Sequence, residues 1–301
     1  MLRVKSVLVP TDHSRCADQA LVMATDIARR AGAILHLLHV TSTPGTTAGG
    51  PLDKARTSEL IQSLRLTEAG EGLTIVEVHR QTLKPGQVIL DHATEIDADL
   101  IVLGSHEKGV MSESLIERVG IDVVRHADCP VITVRESVTP PLMSQVSNVL
   151  VPVDFSNFCR RALRKAAILA RQEQATLHLL HVMERPLAPS FYATGVESAY
   201  SVDVDLSERC HDNLKALALA EVPDAPIVLH VEEGHPSDII CNFAARENCD
   251  LVFIATHGLT GMKRFFMGSV TEKVVRHAPC PVFIIKAFGK TLLSRAQEAK
   301  A

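Results

Sequence analysis

Short, nearly unbroken runs of Val, Ile and Leu alternate along the chain with longer stretches in which apolar positions recur every three or four residues. In the second half the runs are NVLVPV (148–153), ATLHLLHV (175–182), PIVLHV (226–231), DLVFIA (250–255) and PVFIIK (281–286). Helical periodicity fills roughly 157–174, 201–220, 236–248 and 268–278 between them. The first half reads the same way, with runs near 6–10, 33–40, 74–79, 99–103 and 130–135. An apolar run with no wet side is a strand covered by helices above and below. The pattern predicts a doubly wound, Rossmann-like α/β architecture: two tandem parallel five-stranded sheets with helices on both faces.

The halves share more than a pattern. HLLHV occurs at 36–40 and again at 178–182, and the same offset of 142 carries VLVPTDHS (7–14) onto VLVPVDFS (149–156). RHADCPV (125–131) falls on RHAPCPV (276–282) with an offset of 151, so the second copy holds nine additional residues. The stretch MERPLAPSFYATGVESAYS, dense in Pro, Gly and Ser, is where they fit as a loop. The expected organisation is a first domain at 1–137, a second at 146–288 and a tail at 289–301, with Pro140 and Pro141 marking the linker. Duplication also accounts for the paired histidines. Residues three apart in a strand face opposite ways, so His36 and His39, or His178 and His181, cannot converge on one metal ion.

Composition removes several classes. A net charge of −4, 4% aromatic residues and no tryptophan argue against base-stacking nucleic-acid readers and against anionic membrane surfaces. The seven cysteines are scattered, odd in number and never form CxxC, a reducing-compartment pattern in which Cys129 and Cys280, each before a proline, are read as small buried hydrophobes. The apolar opening of the chain is too short for a signal segment and no run reaches the length of a membrane span. A cytoplasmic protein is the expectation.

In open α/β sheets a ligand lies beyond the carboxyl ends of the strands, where strand order reverses. For the order 3-2-1-4-5 the loops to inspect follow VLVPVD and LVFIA. The first carries Asp154, for which capping of the following helix is the alternative role. The second is ATHGLTGMKRFFMGSVTEKVV (255–275). There Gly258 permits close approach, Gly268 and Ser269 open a helix whose N–H groups and dipole favour an anion, and Lys263 and Arg264 add positive charge. V-P-x-D at the first strand, H-V after the second, H-G followed by nine residues and G-S-V, and H-x-x-C-P-V at the fifth form a specific ensemble. On these motifs the chain resembles a tandem member of the universal stress protein family, over nearly all of both halves.

The resemblance implies an adenine nucleotide alpha-hydrolase-like fold and ATP, with or without Mg, as ligand. Pro152, Val153 and Asp154 would sit against the adenosine and its ribose, and the backbone of Val182 against the adenine edge. Thr256, His257 and Gly258 would line the ribose and phosphates, and Gly268, Ser269, Val270 and Thr271 would cradle the phosphates. Ala255 stands where the family's pattern, G-x-x-G followed by nine residues and G-S, has its first glycine, harmless if its φ is negative and strained if positive. The first copy keeps Asp12, Val40 and Gly104. However, Glu107 replaces the second glycine, Glu117-Arg118 replaces Gly-Ser, and Ser112 and Glu113 replace the basic pair. Carboxylates facing phosphates are costly, so this half is expected to bind no ATP. The implied function is nucleotide-responsive stress regulation with at most slow hydrolysis. Two alternatives stand beside it: a scaffold with both sites silent, and a transferase whose acceptor pocket is built from 183–200. Pairing of 130–135 with 281–286 would make an internal pseudo-dimer. Further homodimerisation and any protein partner are not fixed by the sequence.

Overall fold

The computed structural model describes residues 4–41, 55, 58–59, 61–62, 72–105, 115–184, 206–256, 267–286 and 289–290. The first half runs β1 (Ser6–Thr11), α1 (Arg15–Ala31), β2 (Ile34–Thr41), β3 (Ile75–Gln81), α2 (Pro85–Glu95), β4 (Leu100–Ser105), α3 (Leu115–His126) and β5 (Val131–Arg135). After a 3-10 turn at Met143–Gln145 the second runs β6 (Asn148–Pro152), α4 (Asn157–Glu173), β7 (Thr176–Met183), α5 (Leu206–Glu221), β8 (Ile227–Glu233), α6 (Pro236–Arg246), β9 (Leu251–Ala255), α7 (Ser269–His277) and β10 (Val282–Ile285).

Local chemistry sets these boundaries. Ser14 and Ser156 cap α1 and α4, accepting the N–H of Ala17 and of Cys159. Proline occupies the first turn of α2 and of α6, where a missing N–H costs nothing. α1 closes on Gly32 at φ 64, while α4 closes on Gln174 at φ 57, a left-handed residue without glycine's freedom.

Each half has the expected strand order, parallel throughout, but the two do not form separate sheets. β5 and β10 pair antiparallel, Thr133 opposite Val282, Ile132 opposite Phe283 and Val131 opposite Ile284. One sheet of ten strands results, ordered β3-β2-β1-β4-β5-β10-β9-β6-β7-β8. The physical reason is that a fifth strand of buried Val and Ile is an edge with unmet N–H and C=O groups, and each copy supplies the partner for the other. Phe253 and Phe283 pack at the join with ring centroids 4.5 Å apart.

Two apolar layers, one on each face, cover the sheet and extend through both halves. Burial of each Leu, Val or Phe there contributes about 1.5–3 kcal/mol. The linker is part of this packing: Val138, Met143 and Val146 are buried, and the Met143 N–H donates to the buried Asp26 carboxylate at 2.7 Å. Arg30 of α1 and Glu173 of α4 pair across the halves at 2.6 Å. Among the described residues no helix is long and apolar enough to cross a membrane.

Candidate functional site

The reversal of strand order in the second half falls between β6 and β9. Their ladder is brief, Val149 with Leu251 and Leu150 with Val252, although β6 continues to Pro152 and β9 to Ala255. The Val153 N–H donates to Leu180 O on β7 at 2.8 Å, so Pro152, one residue earlier, turns its nitrogen toward β9 with no hydrogen to give. On the other bank the Thr256 N–H donates to Ile285 O at 3.1 Å, which turns Ala255 toward β6. The Ala255 carbonyl accepts the Thr271 hydroxyl at 2.9 Å. The proline of V-P-x-D thus ends the ladder, and the two strand ends part at the place where a ligand is expected.

α7 begins at this opening. Its start is tied to β9 by the Gly268 N–H donating to Thr256 O at 2.9 Å. Gly268 is its N-cap, with φ −62 and ψ 145, and has no side chain with which to cap the first turn; among the described residues none is seen to cap it. The leading N–H groups are therefore available to an anion. Glycine at 268 is not demanded by conformation. Nor is it demanded by described neighbours, since a Cβ there would meet Thr256 O at 3.6 Å and Thr271 Oγ1 at 3.8 Å, ordinary contacts. Ser269 is exposed, Val270 half-buried and Thr271 buried. Ala255 lies in β9 and is absent from the positive-φ residues, so its methyl group carries no backbone strain.

Asp154 follows β6. Its Oδ1 accepts the Ser156 N–H at 3.0 Å, and Ser156 rather than Asp154 is the helix cap. Between them Phe155 adopts φ 62, a left-handed conformation that costs a side-chain-bearing residue about 1 kcal/mol or more. Its ring lies 4.7 Å from His181, whose Nδ1 donates to Val153 O at 2.8 Å. That acceptor fixes the tautomer and leaves Nε2 as an acceptor. Val182 is the next residue of β7, half-buried and two positions past the last pairing of β7 with β6, Leu180 with Pro152. Nearby, burial pushes the Cys159 thiol up to about 12, and the Asp154 carboxylate adds to the shift, so this sulfur is no nucleophile. From the sequence His181 was weighed only as a metal ligand and Phe155 was not singled out; the signal available was that a ring residue, His13 or Phe155, follows the aspartate in both copies.

The structure therefore brings together Pro152, Val153 and Asp154 on one bank and Ala255, Thr256, Gly268, Ser269, Val270 and Thr271 on the other, with Val182 beside the first. His257, Gly258, Lys263 and Arg264 lie outside the described residues.

In the first half Asp12 accepts the Ser14 N–H at 3.0 Å and His13 has φ 62, repeating the arrangement at Asp154 and Phe155. Two features differ. α3 is already helical at Leu115, three residues earlier in the repeat than Ser269, so Glu117, the counterpart of the N-cap Gly268, lies inside the helix. At Gly104 a Cβ would fall 2.6 Å from both Ala17 N and Cys16 C, so this glycine seats the start of α1 on β4. His106, Glu107, Ser112 and Glu113 lie outside the described residues.

The repeated histidines serve opposite faces. His36 packs toward His92, ring centroids 6.1 Å apart, and His39 toward His13 at 4.4 Å. His178 Nε2 donates to Asn148 Oδ1 at 3.2 Å and its Nδ1 meets His230 Nε2 at 3.1 Å. Among the described residues no three His, Cys, Asp or Glu side chains gather as a metal site.

Comparison with known proteins agrees with the repeat. Residues 3–135 and 145–286 each match the profile of the Universal stress protein family. A universal stress protein of Methanocaldococcus jannaschii is 29% identical over 140 residues, 46% of this chain and 81% of the relative. Universal stress protein YxiE of Bacillus subtilis is 30% identical over 146 residues, 46% of this chain and 99% of the relative. The solved structure of a universal stress protein from Archaeoglobus fulgidus aligns with a TM-score of 0.62 over 93% of this chain and 98% of its own, at 20% identity, a likeness of fold.

Proposed function

The chain belongs to the universal stress protein family, and on that premise we propose that its second half binds a single ATP while its first half binds none. The observation that carries this reading is the start of α7. An uncapped helix opens with a glycine that neither conformation nor described neighbours require, at the parted ends of β6 and β9. A phosphate approaching the backbone accounts for that glycine. In this reading Gly268, Ser269, Val270 and Thr271 cradle the phosphates, with or without a Mg ion. Thr256, His257 and Gly258 line the ribose and phosphates beside Ala255. Pro152, Val153 and Asp154 take the adenosine and its ribose, and the Val182 backbone takes the adenine edge. The protein acts by binding rather than turnover, as a nucleotide-responsive stress regulator in which hydrolysis is at most slow.

The test is calorimetric titration with Mg-ATP on the wild type and on Gly268→Glu, which copies Glu117 of the first half into the second. The wild type takes up a single ATP. The variant folds, because the added Cβ meets only ordinary contacts, yet loses at least about a hundredfold in affinity because its carboxylate faces the phosphates. Two equivalent sites per chain would overturn the asymmetry. A wild type that neither binds ATP nor melts later in its presence would overturn the reading and leave a nucleotide-free scaffold.

A further inference from the structure

Resting on the nucleotide reading above, we infer that Arg135, the last residue of β5 in the half that binds nothing, positions the phosphate cradle of the other half by holding the far end of α7. This helix spans only Ser269–His277. Isolated helices shorter than about 12–15 residues are marginal in water, so α7 depends on what secures its two ends. Its own sequence closes neither end fully: at the C-terminal end the His277 Nδ1 donates to the Lys273 carbonyl at 2.8 Å and the Ala278 N–H to that of Val274 at 2.8 Å, which leaves the Ala278 carbonyl itself for a donor from outside the helix. The N-cap has no side-chain hydrogen bond, and the C-cap Ala278 is extended at φ −57 and ψ 138, without the left-handed glycine closure that ends α1 at Gly32.

The closure comes from the other half. Arg135 Nη1 donates to the Ala278 carbonyl at 3.0 Å, placing a guanidinium at the negative end of the helix dipole. Arg125 at the end of α3 lies 3.7 Å from Glu272 in the first turn of α7, and Arg276 holds the same carboxylate at 3.1 Å. The acidic side chain in the first turn of α7 is thus held by one cation from each half.

The arrangement is reciprocal. By the repeat offset of 151, Arg135 corresponds to Lys286. Lys286 Nζ donates to the Val124 carbonyl and, at 3.2 Å, to that of Arg125, in the last turn of α3. Each half therefore places a cation, Arg135 at the end of β5 and Lys286 just past β10, on the last carbonyls of the last helix of the other. Two different cations at one repeat position show that charge and reach, rather than a particular side chain, are what the position supplies.

In the second half the consequence is chemical. Phosphates secure the front of α7 and Arg135 secures its back, and both act on one short rigid element. Securing either end favours the other, and the coupling is mutual. In the reading above the adenosine rests chiefly on Pro152, Val153, Asp154 and Val182 at the ends of β6 and β7 and meets the α7 side only through the residues that begin at Thr256, so it shares little in the coupling.

The experiment compares the full-length wild type, Arg135→Met and Arg135→Lys, titrating each with ATP, ADP and adenosine and melting each without ligand. Arg135→Met weakens ATP and ADP by about three- to tenfold, the worth of a cation at a helix terminus, and leaves adenosine within about twofold of wild type. Arg135→Lys restores ATP affinity, as Lys286 fills the same role in mirror image. Equal losses for all three ligands would reduce Arg135 to a general interface contact and overturn the inference. Unchanged ATP affinity in Arg135→Met would also overturn it. Absence of ATP binding by the wild type, seen before any variant is used, defeats the nucleotide reading itself and this inference with it.

Discussion

Gly104 and Ala255 occupy one position of the repeat, and their roles invert what the motif alone suggests. The glycine kept in the first half seats α1 on β4, whereas alanine in the second sits in β9 without a positive φ. Gly104→Ala should therefore destabilise the protein by about 1–3 kcal/mol through overpacking against the Cys16–Ala17 backbone, read as a lower urea midpoint with an unchanged slope. From the sequence the question at Ala255 could be posed but not answered, because φ and the approach of a neighbouring helix are not written in a residue's identity. Asp154 is a similar case. Its place beside the site was legible from V-P-x-D, while its hydrogen bond to the Ser156 N–H and the left-handed Phe155 beside it were not.

At the scale of elements, the strands were legible because continuous apolar runs mark segments covered on both faces, whereas their order was supposed from the fold class and is not written in the runs. Less legible was how strands end. That Pro152 stops the β6–β9 ladder follows from which neighbour Val153 bonds, a fact of register rather than of composition. Register also makes a pH-sensitive contact between β7 and β8. His178 donates to Asn148 and presents bare Nδ1 to the Nε2–H of His230, so adding a proton sets donor against donor. Burial lowers the pKa of both imidazoles, and of His36 in the first half, below the ordinary 6.5. Below that value the unfolded chain takes up protons that the fold refuses, so this stability is present above pH 6.5 and is lost as pH falls. Urea midpoints should drop between neutral pH and mildly acidic buffer, and His230→Gln, which keeps a donor toward His178, should flatten the decline. A slope unchanged in that variant would remove the histidine pair as its cause.

For the whole molecule, the scattered cysteines set the alkaline limit. Burial raises the thiols of Cys16 and Cys241 to about 11 and those of Cys129, Cys159 and Cys249 to about 12, and it lifts Cys280 further, all from 9.0. Above pH 9.0 the unfolded chain releases these protons and the folded chain keeps them, so stability falls as pH rises. Each thiol removes about 1.4 kcal/mol per pH unit there. Lys286 acts with the opposite sign: burial lowers it to about 8 from 10.5, which adds stability as pH rises between those values. It offsets only part of the loss. In reducing buffer the thermal midpoint should therefore decline steeply above pH 9, and Cys129→Ala combined with Cys280→Ala should soften the decline. The sequence showed these residues to be unpaired thiols in a reducing pattern, but not that most of them are dry.

The antiparallel join of β5 and β10 has a consequence for concentration. Both edges belong to one polypeptide, so their meeting is unimolecular and dilution does not separate them. A site that borrows a cation from its neighbour keeps that neighbour at any abundance of the protein. With one lender guaranteed to every borrower, the two copies have no need to remain alike.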